Sequence, residues 1–333
     1  MAGGIFGAVA LQRIPLGAAL TKPLALLLAL GWVGIAGLVL SAAVRDGIAV
    51  HTGPLIGSFA IGTWVAASTV TARMAMLAAP DAPWLAEAMF AAGLVVWLWF
   101  APRALRNLAR IAGAPASATR PTGIILLTTV ATQAVALAAF RLFPAAATAR
   151  GAAAGLMGLG AACYAAGAGL IIRRYVADLT WRLAADWDNT NCILHGALSI
   201  TGLTAVISGL FGIEVLAPFW AMTLTVFIIV EAIELLRLDA RRRLLGWRDA
   251  VFVYDTSQWA RNFTFGMFYA FTAALVARFP VAGEFPILGA VAAAILGYGQ
   301  YVVLLLLLGE LGVMGWWLAG RAVRTAASSH RAG

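Results

Sequence analysis

Residues 259–271 read WARNFTFGMFYAF. The stretch begins with Arg261 and Asn262, turns aromatic, and sets Gly266 among rings beside Thr264. Its composition is that of a membrane span approached from a polar edge. Two readings of the rings stand side by side. They are packing or lipid-facing bulk, or one of them obstructs a passage.

The rest of the chain places this stretch in a bilayer. Of 333 residues, 62% are hydrophobic and 11% are charged, with a mean hydropathy of +0.92. Soluble domains carry about 25% charged residues. The apolar runs fit helices that cross a membrane. No positive–apolar–small leader stands at the start, so no cleaved signal is expected. The net charge of +9 comes from 22 Arg and one Lys. In a membrane chain it reports topology rather than a nucleic-acid partner. Cys163 and Cys192 form no CxxC pair, and no spacing suggests a metal or another cofactor.

Ten apolar segments are predicted, at about 4–20, 24–44, 54–79, 84–101, 121–143, 151–172, 192–213, 217–236, 259–279 and 286–309. The first is interrupted by Gln12, Arg13 and Pro15, and the last has room to run on to Gly320. One side of the membrane then holds 17 of the 23 basic residues, so both termini are expected in the cytoplasm. The expected fold is all-α and integral to the membrane, of a bacterial inner-membrane type. A single transmembrane domain covers 1–320 and a cytoplasmic tail covers 321–333. Short outer and longer inner connections suggest five helical hairpins. Gly17, Gly62, Thr129, Gly202 and Gly266 fall at comparable depths in the odd segments, which fits internal repeats or simply equal hairpin lengths.

Polar side chains segregate by parity. Segments 3, 5, 7 and 9 hold 18 Ser, Thr, Asn, Gln and His, and the five even segments hold four. Unsatisfied polar groups are costly in hydrocarbon, so these should face protein or water. The odd segments are therefore expected inside and the even ones outside, facing lipid. Candidate lining residues of a central pore are Gly17, Gly62, Thr63, Thr128, Thr129, Ser199, Thr201, Gly202, Thr264 and Gly266. The competing reading is small-residue packing between helices.

Charges add a second pattern. Arg73, Arg141 and Arg278 lie eleven or twelve residues beyond Gly62, Thr129 and Gly266. That is roughly 17 Å further out at helical rise. Such a ring attracts anions at a pore mouth, or else snorkels to headgroups. Arg13, His195 and Arg261 would supply a second basic zone at the inner end. Glu231 and Glu234 lie on an even segment, where Arg237 follows at helical spacing, so local pairing accounts for them. Asp178, Asp186 and Asp188 stand in a loop at spacings that give no Asp-rich diphosphate motif, and no enzyme is expected.

The ten-span layout resembles the tellurite-resistance/dicarboxylate transporter family, which includes bacterial TehA, the plant guard-cell slow anion channels and the yeast malate and sulfite carriers. FTFG at 263–266 is similar to that family's helix 9 motif, and IPLG at 14–17 to its helix 1 string. Trp259 stands two residues earlier than the motif's usual Trp. The resemblance implies a central pore inside five inner helices, and usually a homotrimer with one pore per subunit. It also implies a helix 9 phenylalanine that occludes the pore. That residue is Phe265 by the motif, or Phe263 if the register slips by two. The expected function is a channel for small anions such as chloride or nitrate. The alternative is a carrier for C4-dicarboxylate, sulfite or tellurite, with His195 available for proton coupling.

Overall fold

The structure, a computed structural model, describes residues 1–15, 17–46, 54–178 and 180–329. It is 88% helix, with no strand among the described residues. The described residues form ten rods: α1 (2–13), α2 (Gly17–Asp46), α3 (57–78), α4 (Pro83–Gly113), α5 (Gly123–Leu142), α6 (Ala147–Ala177), α7 (Asn189–Ser208), α8 (Ile213–Val251), α9 (256–278) and α10 (Pro286–Ser329). Single turns at Ala116–Thr119, Leu183–Asp186 and Val281–Glu284 complete the helical set. Seven rods (α2, α4, α5, α6, α7, α8 and α10) contain stretches long and apolar enough to cross a bilayer, as in a multi-pass membrane protein.

Several boundaries differ from those read in the sequence. The first segment does not run to residue 20. It is irregular, with a π-helical turn at Phe6–Ala10 and a 3-10 turn at Leu11–Arg13, and Ile14 is extended. Pro15 explains the stop, because the residue before a proline is pushed out of the helical region. Gly17 therefore opens α2 instead of lying within the first helix. A Cβ there would collide with the Leu11 carbonyl, so the sharp turn from α1 into α2 requires glycine. α8 runs well beyond residue 236, and Gly246 breaks its helical geometry at φ 79°. α10 continues through the start of the expected tail. The tail's last four residues, Arg331 among them, lie outside the described residues, as does Leu16 of the IPLG string.

Burial separates the rods. Within their most apolar windows, α5 is 89% buried and α7 is 78% buried, whereas α2, α4, α6, α8 and α10 reach 39% at most. α1, α3, α5, α7 and α9 touch in that order, and α9 packs back on α1. α2 packs on α3; α4 on α3 and α5; α6 on α5 and α7; α8 on α7; and α10 on α9 and α1.

Glycines permit the close approaches within the inner layer. A Cβ at Gly202 would strike the Phe271 ring of α9, and one at Gly196 would strike Thr264. A Cβ at Gly62 would sit 2.8 Å from the Leu127 carbonyl of α5, and one at Gly266 would sit 2.8 Å from Ile5 of α1. Gly202→Ala is accordingly expected to lower stability by about 1–3 kcal/mol through overpacking. Thermal unfolding in detergent checks this, and an unchanged midpoint would show that the α7–α9 contact is looser than described.

Tryptophans of the outer rods fasten them to the inner ones. Trp32 of α2 donates to Ser68 of α3 at 3.0 Å, Trp97 of α4 to Thr132 of α5 at 3.1 Å, and Trp220 of α8 to Thr272 of α9 at 2.9 Å. A buried indole N–H needs an acceptor, and the inner hydroxyls supply it. Gln133 likewise reaches the Met157 carbonyl of α6 at 3.0 Å.

Candidate functional site

Five rods turn one face each toward a narrow cavity of about 40 Å³. α1 contributes Ile5, Ala8 and Val9; α7 contributes Ile200 and Leu203; α9 contributes Phe263 and Met267. α3 and α5 contribute matching stripes. Ala66, Thr69, Val70 and Arg73 correspond position for position to Ala134, Leu137, Ala138 and Arg141. Each stripe follows helical spacing and ends on an arginine. The wall is otherwise apolar, with Thr69 the hydroxyl among its described lining residues.

Beside this cavity lies a wider vestibule of about 260 Å³. Arg73, Arg141, Ala8, Val9 and Leu203 line both spaces, and the vestibule adds Gln12 and Arg13. Arg13 thus joins Arg73 and Arg141 and does not stand with His195 and Arg261. The cause is the seating of α1, with Gly4 against Val70 of α3 and Ile5 against Gly266 of α9, so that its last residue reaches the end where Arg73 and Arg141 stand. Arg278 stays apart. Its guanidinium lies 5.5 Å from the centroid of Phe279 and close to Gly209.

The expected lining residues fall elsewhere. Gly17, Gly62, Gly202 and Gly266 sit at helix contacts. Thr63, Thr128, Ser199, Thr201 and Thr264 each donate to a carbonyl three or four residues back, at 2.6–3.1 Å. Thr129 is fully buried, and its hydroxyl has no partner among the described residues. None of these ten lines the cavity. Apart from Thr129, these hydroxyls bond their own helices, as do Ser68, Thr132 and Thr272, which also accept from the outer tryptophans. The parity count missed this because it left Trp out of the polar set.

The two phenylalanines also separate. Phe263 lines the cavity and is 2% exposed. Phe265 points outward, into a cleft of about 350 Å³ among α8, α9 and α10. Its ring meets Phe227 at 4.8 Å and His195 at 6.2 Å between centroids. The expectation from the motif, that Phe265 faces the axis, is corrected in favour of the position two residues earlier. Two residues turn a helix by about 200°, so only one of the two rings can face inward.

The inner basic zone is neutralised by carboxylates from α8. Glu231 lies 3.2 Å from His195 Nε2 and 3.4 Å from Arg261 Nε. Glu234 lies 2.9 Å from Arg261 and 3.3 Å from Arg237, and accepts from the Trp187 indole at 2.9 Å. Arg237 also donates to Asn189 at 2.6 Å. The cluster ties α7, α8 and α9 together, where the sequence suggested pairing local to α8. Charge-to-charge reach across helices leaves no signal in spacing along one helix.

The loop carboxylates act as caps. Asp188 accepts from the Thr190 N–H at 2.8 Å, and Asp186 accepts from the Arg182 N–H at 2.8 Å. Thr180 donates to Asp178 through its hydroxyl and N–H, which holds that carboxyl below its usual range. Asp255 forms a capping box with Gln258 at the start of α9. Among the described residues no group of three His, Cys, Asp or Glu could hold a metal ion.

No family model matches the chain, and no curated protein matches it.

Proposed function

We propose that the chain is a passive, anion-selective channel for small monovalent anions. In this reading ten spans form five hairpins across the membrane, and anions move along the axis of the five inner helices. The observation that carries it is the pair Arg73 and Arg141. Both line the axial cavity, neither makes an ion pair or hydrogen bond among the described residues, and no carboxylate lies on the cavity wall. Unpaired cations beside a water-accessible space attract anions and repel cations. A cation path would call for Asp or Glu there.

Size and polarity support a small permeant ion. A space of about 40 Å³ holds roughly three waters, given 10–15 Å³ for each. A C4-dicarboxylate does not fit without a large opening. Apolar walls offer few donors to replace lost hydration, so weakly hydrated nitrate should pass more readily than chloride. Phe263 serves as the ring that closes this throat and makes it hard to wet. The resemblance to the tellurite-resistance/dicarboxylate transporter family supports the same layout. It adds a homotrimer in a bacterial inner membrane, with both termini cytoplasmic.

A carrier of larger anions, such as C4-dicarboxylate, sulfite or tellurite, is the second reading. Its support is the buried His195–Glu231 contact, which could hold a coupled proton. Proteoliposomes loaded with nitrate or malate separate the two. A channel releases nitrate according to voltage alone and retains malate. Malate release driven by a pH gradient overturns the channel, and no release of either anion overturns both.

A further inference from the structure

Most arginines around the bundle are occupied. Arg237 and Arg261 pair with Glu231 and Glu234, Arg173 and Arg174 bind backbone carbonyls, and Arg150 binds the Ser208 carbonyl at 3.0 Å. Arg13, Arg73 and Arg141 differ. They line one vestibule with Gln12, no carboxylate joins them on its wall, and none makes an ion pair or hydrogen bond among the described residues. The seating of α1 against α3 and α9 is what brings Arg13 to the other two.

We propose that this vestibule is a binding site for a tetrahedral inorganic dianion of the sulfate type, which plugs the passage from that side alone. The proposal rests on the channel reading above and adds a blocking ligand to it. A guanidinium presents a planar fork of N–H donors that matches oxyanion geometry. Three arginines line one space of about 260 Å³, enough for an oxyanion with part of its water. Their combined charge exceeds that of a dianion, so the bound ion is fully compensated.

The same ion cannot go further. The adjoining cavity is about 40 Å³ and walled by Ile5, Val9, Val70, Leu137 and Met267. The cost of dehydrating an ion rises steeply with its charge, so a dianion meets a far higher barrier there than nitrate does. It is held at the mouth and obstructs it. At the opposite end Glu231 and Glu234 already compensate Arg261 and Arg237, so among the described residues these arginines form no equivalent trap.

Planar-bilayer recording of nitrate current tests this, with sodium sulfate added to one chamber and then the other. Millimolar sulfate on the vestibule side is expected to cut the current several-fold, and the same concentration opposite should have little effect. Arg13→Gln should raise the half-blocking concentration about tenfold while nitrate current persists, and Arg141→Gln should raise it as much with a lower nitrate current. Arg13 is exposed, so its variant keeps the test valid if Arg141→Gln fails to fold. Equal block from both sides, no block, or unchanged block in Arg13→Gln overturns the dianion site and leaves the channel standing. Absence of nitrate current in the unaltered protein overturns the channel reading, and the plug falls with it.

Discussion

Phe263→Ala is expected to raise nitrate flux about tenfold or more, whereas Phe265→Ala leaves it within about twofold. The asymmetry follows from where the rings lie. Phe263 lines the axial cavity with Met267 and Ile5, and Phe265 lies in the outward cleft with Phe227. In the proposed channel, truncating Phe263 opens space at the throat. Truncating Phe265 removes packing between α8 and α9 and should act on stability. Truncating the buried Phe263 ring costs about 3–5 kcal/mol at the upper end, so Phe263→Leu provides a milder version. Stopped-flow nitrate efflux from liposomes measures all three. A large gain with Phe265→Ala and none with Phe263→Ala or Phe263→Leu would return the gate to the position that the motif implies.

Glu234→Ala is expected to destabilise the protein by about 3–5 kcal/mol, the range for breaking a buried ion pair from one side. Glu234 is 7% exposed and stands between Arg261 and Arg237, with the Trp187 indole as a third donor. Its removal leaves two arginines and an indole N–H short of an acceptor. Asp239, 41% exposed, pairs with Arg242 at 2.8 Å and with Arg243. Asp239→Ala should cost less than about 1 kcal/mol, as exposed pairs do. Urea or thermal unfolding of both variants gives the comparison. Equal effects would mean that the cluster of α7, α8 and α9 is wet and contributes little.

How far the sequence reaches is clear from particular elements. Hydrocarbon solvation leaves a composition signal over about twenty positions; it located α3, α5, α6, α7 and α9 to within about five residues at either end but ended α4, α8 and α10 twelve or more residues early. It failed at α1, where Pro15 ends a helix inside an otherwise apolar run, and so Gly17 was misplaced. Arg73 and Arg141 stand out in the sequence at the ends of two polar-bearing segments, and both lie on the cavity wall. The sharper signal was the stripe before each, Ala66–Thr69–Val70 and Ala134–Leu137–Ala138, which repeats at helical spacing and faces the cavity. The hydroxyls misled. Polarity alone does not say whether a threonine faces water, its own carbonyls or a tryptophan from a neighbouring helix. The Glu231–His195–Arg261 link was illegible for a different reason. It joins residues on α7, α8 and α9, and only tertiary packing brings them together.

The most direct test of the anion path is the location of bromide in crystals of the purified protein, read from its anomalous scattering. The account predicts a peak between the guanidiniums of Arg73 and Arg141, at the top of the cavity closed by Phe263. Bromide confined to surface arginines such as Arg278, with the axial cavity empty at concentrations that support flux, would contradict it.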